Sequence, residues 1–356
     1  MTTTDPRPWL RRGILAILIG LAVAMPFLHV YIPGLFAGAL SSPGVLHLLS
    51  LMFVMAGVAM TYDLLFGHTG LLTFGHSLYV AAGMYTTAIA LGSGVSLPIA
   101  LSYVAVVGIA LPLILGAICL RVDGIAFAMA TLAFAQAAAI FVLRDPFDVT
   151  GGELGVALPY QQLPAELVGV FNAKYRYWLA LVVLVVIAAV IAWALRSRPG
   201  RVWVAIRENP ARVAVLGLRP YSFKLLVFVL ASFLATLAGA AYALVSGGAY
   251  AEITESTFTL GLLVMVVLGG TGHRYGALVG GLLYTYLGHR LGELGTAHPG
   301  LPAPLREPMF VLGALFVVIV LALPKGVTSV AGATSLRHLT AALTGRGTAD
   351  TTKGSA

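Results

Sequence analysis

The sequence predicts an all-α polytopic membrane protein with about ten transmembrane helices. Three observations carry that prediction. Mean hydropathy is +0.96, with 59% hydrophobic and 10% charged residues among 356. Gly13–Tyr62 and Leu64–Leu120, 50 and 57 residues long, contain no Asp, Glu, Lys or Arg, and each has room for two helical spans of about 20 residues. The short alternating segments of a membrane barrel are absent. In that setting the net charge of +8 reads as an excess of cations on the cytoplasmic side rather than a nucleic-acid footprint. The single Cys119 lies in an apolar run and excludes a disulfide framework or a cysteine metal site.

Residues 1–12 are polar, carry Arg7, Arg11 and Arg12, and form the expected cytoplasmic N-terminus. The membrane domain is expected over 13–325. Its first apolar segment, Gly13 to about Leu28, has Ala22-Val-Ala24 near its end and so also fits a signal peptide. The apolar run continues to Ile32, which favours a retained span. Span two is expected at Val45–Phe66, span three at Leu71–Leu91, and span four at Leu97–Leu120 after the Gly92-Ser-Gly94 turn. Span five follows Arg121-Val-Asp123 at Gly124–Leu143. Residues 144–177 form a loop of mixed charge, expected in the periplasm, and span six is Trp178–Leu195. Spans seven to ten are expected near Leu225–Val245, Phe258–Leu268, Ala277–Leu287 and Met309–Leu323. Segments eight and nine are short for full crossings, so they either tilt or are half-helices meeting at Gly269–Gly276. The Ser/Thr/Gly-rich tail, 326–356, has the composition of disorder.

Ten crossings put both termini on one side. Sixteen of the 21 Lys and Arg residues then fall on the N-terminal side, against five (Arg144, Lys174, Arg176, Arg290, Arg306) on the other. That asymmetry places the termini in the cytoplasm. It places residues 196–219 there too, with six of the sixteen: Arg196, Arg198, Arg201, Arg207, Arg212 and Arg219. The punctuation of this stretch predicts two short helices. Pro199-Gly200 breaks the preceding span; Asn209 caps a helix that has Pro210 at its first position; Gly217 ends it. Val213 and Leu216, three apart with Ala214 nearby, form an apolar ridge, and Arg212 points elsewhere. Two readings of the loop stand: a topology signal alone, or a helix that fits a partner's groove.

Within the membrane, Gly67-His-Thr-Gly70 and Gly269-Gly-Thr-Gly272 share the pattern Gly-x-Thr-Gly at the cytoplasmic ends of two spans, where glycine permits a tight reversal. The small residues of Gly67–Gly83 suit close helix packing or a moving seam. Alanine on most faces of span five predicts a helix surrounded by protein. Its Thr131 and Gln136 are either structural glue or lining of a translocation path, and Thr86 is a further candidate for that path. Asp63 is the only acid inside a span, one turn from the cytoplasmic end and within reach of His68, which makes it a poor proton relay. No Gly-x-x-x-x-Gly-Lys-[Ser/Thr], His-Glu-x-x-His or Gly-x-Ser-x-Gly occurs, so ATP binding by the P-loop route and the commoner hydrolase chemistries are excluded. No catalytic or metal-ligating residue is expected.

Four patches carry a resemblance. They are Leu64-Leu-Phe-Gly-His-Thr-Gly-Leu-Leu-Thr-Phe-Gly-His76, Gly124-Ile-Ala-Phe-Ala-Met-Ala-Thr-Leu-Ala-Phe134, Gly200-Arg-Val-Trp-Val-Ala-Ile-Arg-Glu-Asn-Pro210 through Leu216-Gly217 to Lys224, and Val267-Leu-Gly-Gly-Thr-Gly272. With them the chain resembles the M-type permease subunit of bacterial branched-chain amino acid ABC importers, over about residues 45–325. Asp63 stands where that family more often has asparagine, and its Glu-Ala-Ala wording is replaced by Pro210-Ala-Arg-Val-Ala214. The resemblance implies a ten-span fold like the vitamin B12-type importers, multi-pass in the bacterial inner membrane. It implies as partners a homologous permease, two ABC ATPase subunits and a periplasmic solute-binding protein, with ATP held by the ATPases and no cofactor in this chain. The residues it assigns to ATPase coupling are Arg201, Ala205, Arg207, Glu208, Asn209, Arg212, Val213, Leu216 and Gly217. A permease for urea or short amides shares the same patches. From another class, an ion-coupled secondary transporter calls for buried acids near the midplane, and the spans offer only Asp63.

Overall fold

The computed structural model describes residues 20–31, 36, 38–169, 172–273, 275–297 and 302–322. The N-terminal arginines, the start of span one, Arg274 and the tail lie outside the described residues. Apart from two short strands, the described regular structure is helical. Helix α1 (Pro43–Thr69) has proline in its first turn and ends at Gly70, which adopts the left-handed conformation. At 27 residues it is about 40 Å long, enough to cross a bilayer. The bundle continues with α2 (His76–Gly92), α3 (Leu97–Cys119), α4 (Ile125–Arg144) and α5 (Ala173–Arg196). The basic loop supplies α6 (Arg198–Glu208) and α7 (Pro210–Val215). Then come α8 (Pro220–Ser246), α9 (Ser256–Gly269), α10 (Gly276–Ala297), α11 (Ala303–Arg306) and α12 (Pro308–Ala322).

Five of these, α1, α3, α4, α5 and α8, are long and apolar enough to cross a membrane. Helices α1 and α8 form the centre. Val54, Val58, Tyr62 and Leu65 of α1, with Phe228, Ala231, Ala235 and Ala238 of α8, are wholly enclosed. Around them α3, α4 and α5 each keep a broad face outward. Helices α2 and α8 approach backbone to backbone: a Cβ at Gly83 would overlap the Thr236 carbonyl, and one at Gly239 the Val80 carbonyl. Close packing is therefore what the small residues of this region provide.

Four expectations need correction. Segment three is helical only from His76, because residues 70–75 are irregular. Segment nine is a 22-residue helix reaching Ala297, not a half-helix ending near Leu287. Its polar second half satisfies itself, since Arg290 and His289 both pair with Glu293 one turn away, at 2.6 and 3.3 Å. The break before the basic loop is at Ser197, and Pro199-Gly200 lies inside the first turn of α6. The alanine-rich α4 buries Phe127, Ala128, Thr131 and Ala135 but exposes Ile125, Met129, Ile140 and Phe141; within this chain it is enclosed on one face only.

The stretch 144–177 is folded where it is described. Three 3-10 turns punctuate it, β1 (Val156–Ala157) pairs antiparallel with β2 (Gly248–Ala249), and α5 starts at Ala173, earlier than expected. Asp145 organises its first part. One carboxylate oxygen accepts the Val149 and Thr150 N–H groups, the other that of Gly151, each at 2.8 Å, and Thr150 Oγ1 donates to the Val142 carbonyl. Those donors, Thr150 first, hold the Asp145 carboxyl below the usual aspartate range.

Candidate functional site

The basic loop is anchored by one apolar pair and one ring. In α6, Trp203 and Ile206 are buried, as spacing of three on a helix dictates, while Arg201, Ala205 and Glu208 are exposed and Arg207, also exposed, turns its guanidinium to the end of α1. Trp203 Nε1 donates to the Phe223 carbonyl at 3.0 Å, tying α6 to the start of α8. The Ser197 hydroxyl caps the helix on the Gly200 N–H. Asn209 then caps α7, its Oδ1 accepting from the Ala211 and Arg212 N–H groups at 2.9 and 3.2 Å, and Gly217 is left-handed. The Ser197 cap replaces the break expected at Pro199-Gly200; the Asn209 cap and the Gly217 stop agree with the sequence.

The apolar ridge does not. Val213 is buried, 3% exposed, whereas Leu216 is 78% and Val215 87% exposed. Helix α7 has only six residues, so Leu216 lies past its end and the three-residue spacing no longer holds it on the face of Val213. The outward apolar pair is Val215 and Leu216. Arg201 of α6 and Arg212 of α7 are also exposed, without a carboxylate partner among the described residues.

The two Gly-x-Thr-Gly turns meet beneath this loop. Asp63, 3% exposed, accepts the Gly272 N–H on Oδ1 at 2.9 Å. His68 Nδ1 lies 3.5 Å from its other oxygen. The Arg207 guanidinium donates to the Gly67 carbonyl, one of the last, otherwise unsatisfied carbonyls of α1. A Cβ at Gly67 would lie 2.5 Å from the Gly272 nitrogen. One at Gly272, itself left-handed, would lie 2.7 Å from the Gly67 oxygen and 2.8 Å from the Arg207 guanidinium. Gly70 packs against the stem of Arg207. The structure thus brings Gly67, Gly70, Gly272 and Arg207 into one cluster. Gly269 lies beside it, against the start of α10 at Gly276.

The irregular segment 70–75 is held by threonines. The Phe74 N–H donates to Thr131 Oγ1 (3.2 Å), the Gly75 N–H to Thr73 Oγ1 (3.2 Å) and the Ser77 N–H to Thr259 Oγ1 (3.0 Å). Tyr62 donates to the Thr73 carbonyl, and Thr61 pairs with His76 Nε2 at 2.9 Å. Backbone outside a helix is tolerated at membrane depth only where protein groups satisfy it, and here helices α4 and α9 lend the hydroxyls. Thr131 is accordingly part of this clamp. Gln136 and Thr86 are half-buried elsewhere on α4 and α2, and the Gln136 amide makes no hydrogen bond among the described residues. Between the irregular segment and the start of α4 lies a cavity of about 270 Å³, lined by Gly70, Leu72, Phe74, Gly124, Phe127 and Met129 among others.

Sequence reasoning missed Trp203, Thr259 and the position of Asp63 between the two turns. The spacing of Trp203 and Ile206 is a legible helical signal; nothing local marks Thr259. Among the described residues no group of three His, Cys, Asp or Glu side chains could hold a metal ion.

Comparison with known proteins bears on this geometry. A family model described as "Branched-chain amino acid transport system / permease component" matches residues 44–320. The high-affinity branched-chain amino acid transport system permease protein LivM of Escherichia coli (strain K12) is 28% identical over 342 residues, covering 88% of this chain and 73% of that protein. The LivM protein of Salmonella typhimurium is 27% identical over 308 residues, 78% of this chain and 68% of its own length. A probable branched-chain amino acid transport permease, LivM, of Methanocaldococcus jannaschii is 25% identical over 159 residues, 43% of this chain and 44% of its own. No solved structure matches.

Proposed function

The chain belongs to the branched-chain amino acid transport permease family, a multi-pass, non-catalytic transport component, and from that premise we propose that it is the M-type half of an ABC importer. In this reading ten spans adopt the arrangement of vitamin B12-type importers, with both termini and the basic loop in the cytoplasm and the 144–177 loop in the periplasm. A homologous permease completes the translocation path, two ATPase subunits bind the ATP, and a periplasmic binding protein delivers the solute.

The observation that carries the reading is the loop itself. Helices α6 and α7 form a knob fixed from within by Trp203 and capped by Ser197 and Asn209, whose exposed residues include Val215, Leu216, Arg201 and Arg212. A short helix with an apolar tip and a cationic rim suits a groove on a soluble partner. The outward face of α4, with Met129, Ala133 and Gln136, would lie toward the second permease and the path, with the cavity beside Gly70 at the start of the helix. Thr86 is a further path candidate, and Thr131, on the buried face of α4, would support the path through the clamp on residues 70–75.

Purification of the protein from its native membrane tests the assembly: ATPase subunits are expected to accompany it, and a preparation without any would overturn the importer reading. Leu216→Arg is then expected to release the ATPase and abolish uptake of labelled leucine, isoleucine and valine. Unchanged association and uptake would show that the tip does not dock.

A further inference from the structure

The geometry points to Asp63 and Arg207 as a two-sided latch that carries movement of the basic loop into both glycine turns at once; this rests on the coupling reading above and deepens it. As Trp203 joins α6 to α8, Arg207 joins it to the end of α1 by a polar contact, through the Gly67 carbonyl. Its charge sits at the C-terminal end of α1, where the helix dipole is negative, so the contact is charge-assisted. Asp63, one turn earlier on the same helix, takes the Gly272 N–H in the α9–α10 turn. Residues 207, 63–70 and 272 are far apart in sequence, yet each touches the other two.

Three features make this cluster a transmitting joint rather than ordinary packing. The contacts are backbone to backbone, since neither Gly67 nor Gly272 has space for a methyl group. Tightly packed interiors pass displacement on instead of absorbing it. Both polar links are made to backbone groups, so they constrain the chain path and not just a rotamer. And the segment that follows Gly70 is the threonine-clamped irregular stretch leading into α2, which borrows its clamps from α4 and α9. A shift of α6 therefore pulls the end of α1 through Arg207, the α9–α10 turn through Asp63, and the entry to α2 through Gly70. Asp63 and Arg207 act as positioning residues, through the backbone groups they hold.

The test uses the assembled transporter with its own ATPase subunits, reconstituted in liposomes with labelled leucine outside. For Asp63→Ala and Arg207→Ala the complex is expected to assemble and hydrolyse ATP, while leucine moved per ATP falls roughly tenfold or more, the scale of losing one charge-assisted hydrogen bond. Asp63→Asn keeps an acceptor for the Gly272 N–H and is expected to restore most transport, which a purely ionic role would not allow. The double variant is expected to lose no more than either single one, because both interrupt the same chain of contacts. Additive losses, or Asp63→Ala with wild-type coupling, overturn the latch. Should Asp63→Ala fail to fold, Arg207→Gln and Arg207→Ala give the same comparison from the surface side. If Arg207→Ala instead releases the ATPase subunits, Arg207 is a docking residue and the latch is wrong. A wild-type complex lacking ATPase subunits would sink the coupling reading itself, an outcome separate from any of these.

Discussion

The two ends of this bundle are closed in different ways. At the end opposite the basic loop, neighbouring elements are stapled locally. Asp145 gathers three N–H groups from within six residues of itself, Thr150 returns to Val142, and β1 pairs with β2. At the basic end the closure runs between segments some 140 and 209 residues apart, joined by bare glycine backbones and two polar links. The charges differ as well: Asp145, Asp148, Glu153, Glu166, Glu252 and Glu255 stand with Arg144, Lys174 and Arg176 at the first end, whereas arginines dominate the second. A local staple fixes a loop whatever the helices do. A joint between distant segments makes the helices answer to one another, and this bundle keeps its joint where the outward-facing knob is attached.

Breaking the joint should cost more than breaking the staple. Trp203→Ala is expected to have the largest effect. Removing a fully buried indole destabilises by roughly 3–5 kcal/mol, and it also frees α6 from Phe223. Uptake should vanish, and the loop should become protease-sensitive in membranes while α1 and α8 stay intact. Gly67→Val comes next. With Asp63 and the Gly272 nitrogen already in contact distance of a Cβ, overpacking of about 1–3 kcal/mol is expected. The readouts are a lower melting temperature in detergent and lost uptake. Gly169→Ala, at the other end, faces open space and carries only the strain of its positive φ, so uptake should persist. Equal loss from the two glycine substitutions would erase the proposed difference between the ends.

The staple has its own signature in pH. Because the folded protein lowers the Asp145 pKa, the carboxylate's contribution is complete above its ordinary value of 3.8 and is lost as the pH falls through the folded one. Hydrogen exchange at Val149, Thr150 and Gly151 should therefore accelerate below about pH 4 while the amide of Gly272 stays protected. In Asp145→Asn the same amides should exchange faster at neutral pH and show no further acid step. An acid step that survives in that variant would assign it to another group.

How far the sequence disclosed these two ends follows from what sets each residue's environment. Five of the spans were legible because long apolar runs with almost no charge have no other solution in a bilayer, and the loop's second helix because Asn209, Pro210 and Gly217 act within a turn of themselves. The irregular segment 70–75 was not. Leu71, Leu72 and Phe74 are as apolar as any span, and the hydroxyls that permit the break belong to Thr131 and Thr259, distant in the chain. The second half of α10 read as a loop because His289, Arg290 and Glu293 look solvated, yet they neutralise one another along one helical turn. The two Gly-x-Thr-Gly turns were visible singly; that they touch each other and Arg207 is tertiary information. The outward apolar pair is Val215 and Leu216 instead of Val213 and Leu216, because Val213 is buried and the six-residue α7 ends before Leu216.

The smallest expected effect concerns the rim of the knob. Arg201 and Arg212 are exposed and have no carboxylate partner among the described residues, whereas Arg207 is committed to Gly67. Exposed charges of this kind contribute at most about 1 kcal/mol each and act mainly on association rate. Arg201→Ala and Arg212→Ala should each weaken ATPase binding only a few-fold, flatten its dependence on ionic strength between low and physiological salt, and leave the leucine moved per ATP unchanged. Measuring association of purified ATPase with the reconstituted permease at several salt concentrations separates the classes of arginine. Rim variants should move the salt slope and not the coupling ratio; Arg207→Ala should do the reverse. If Arg201→Ala lowered the coupling ratio as Arg207→Ala is expected to, the whole loop surface would be transmitting, and the joint could no longer be localised to the glycine turns.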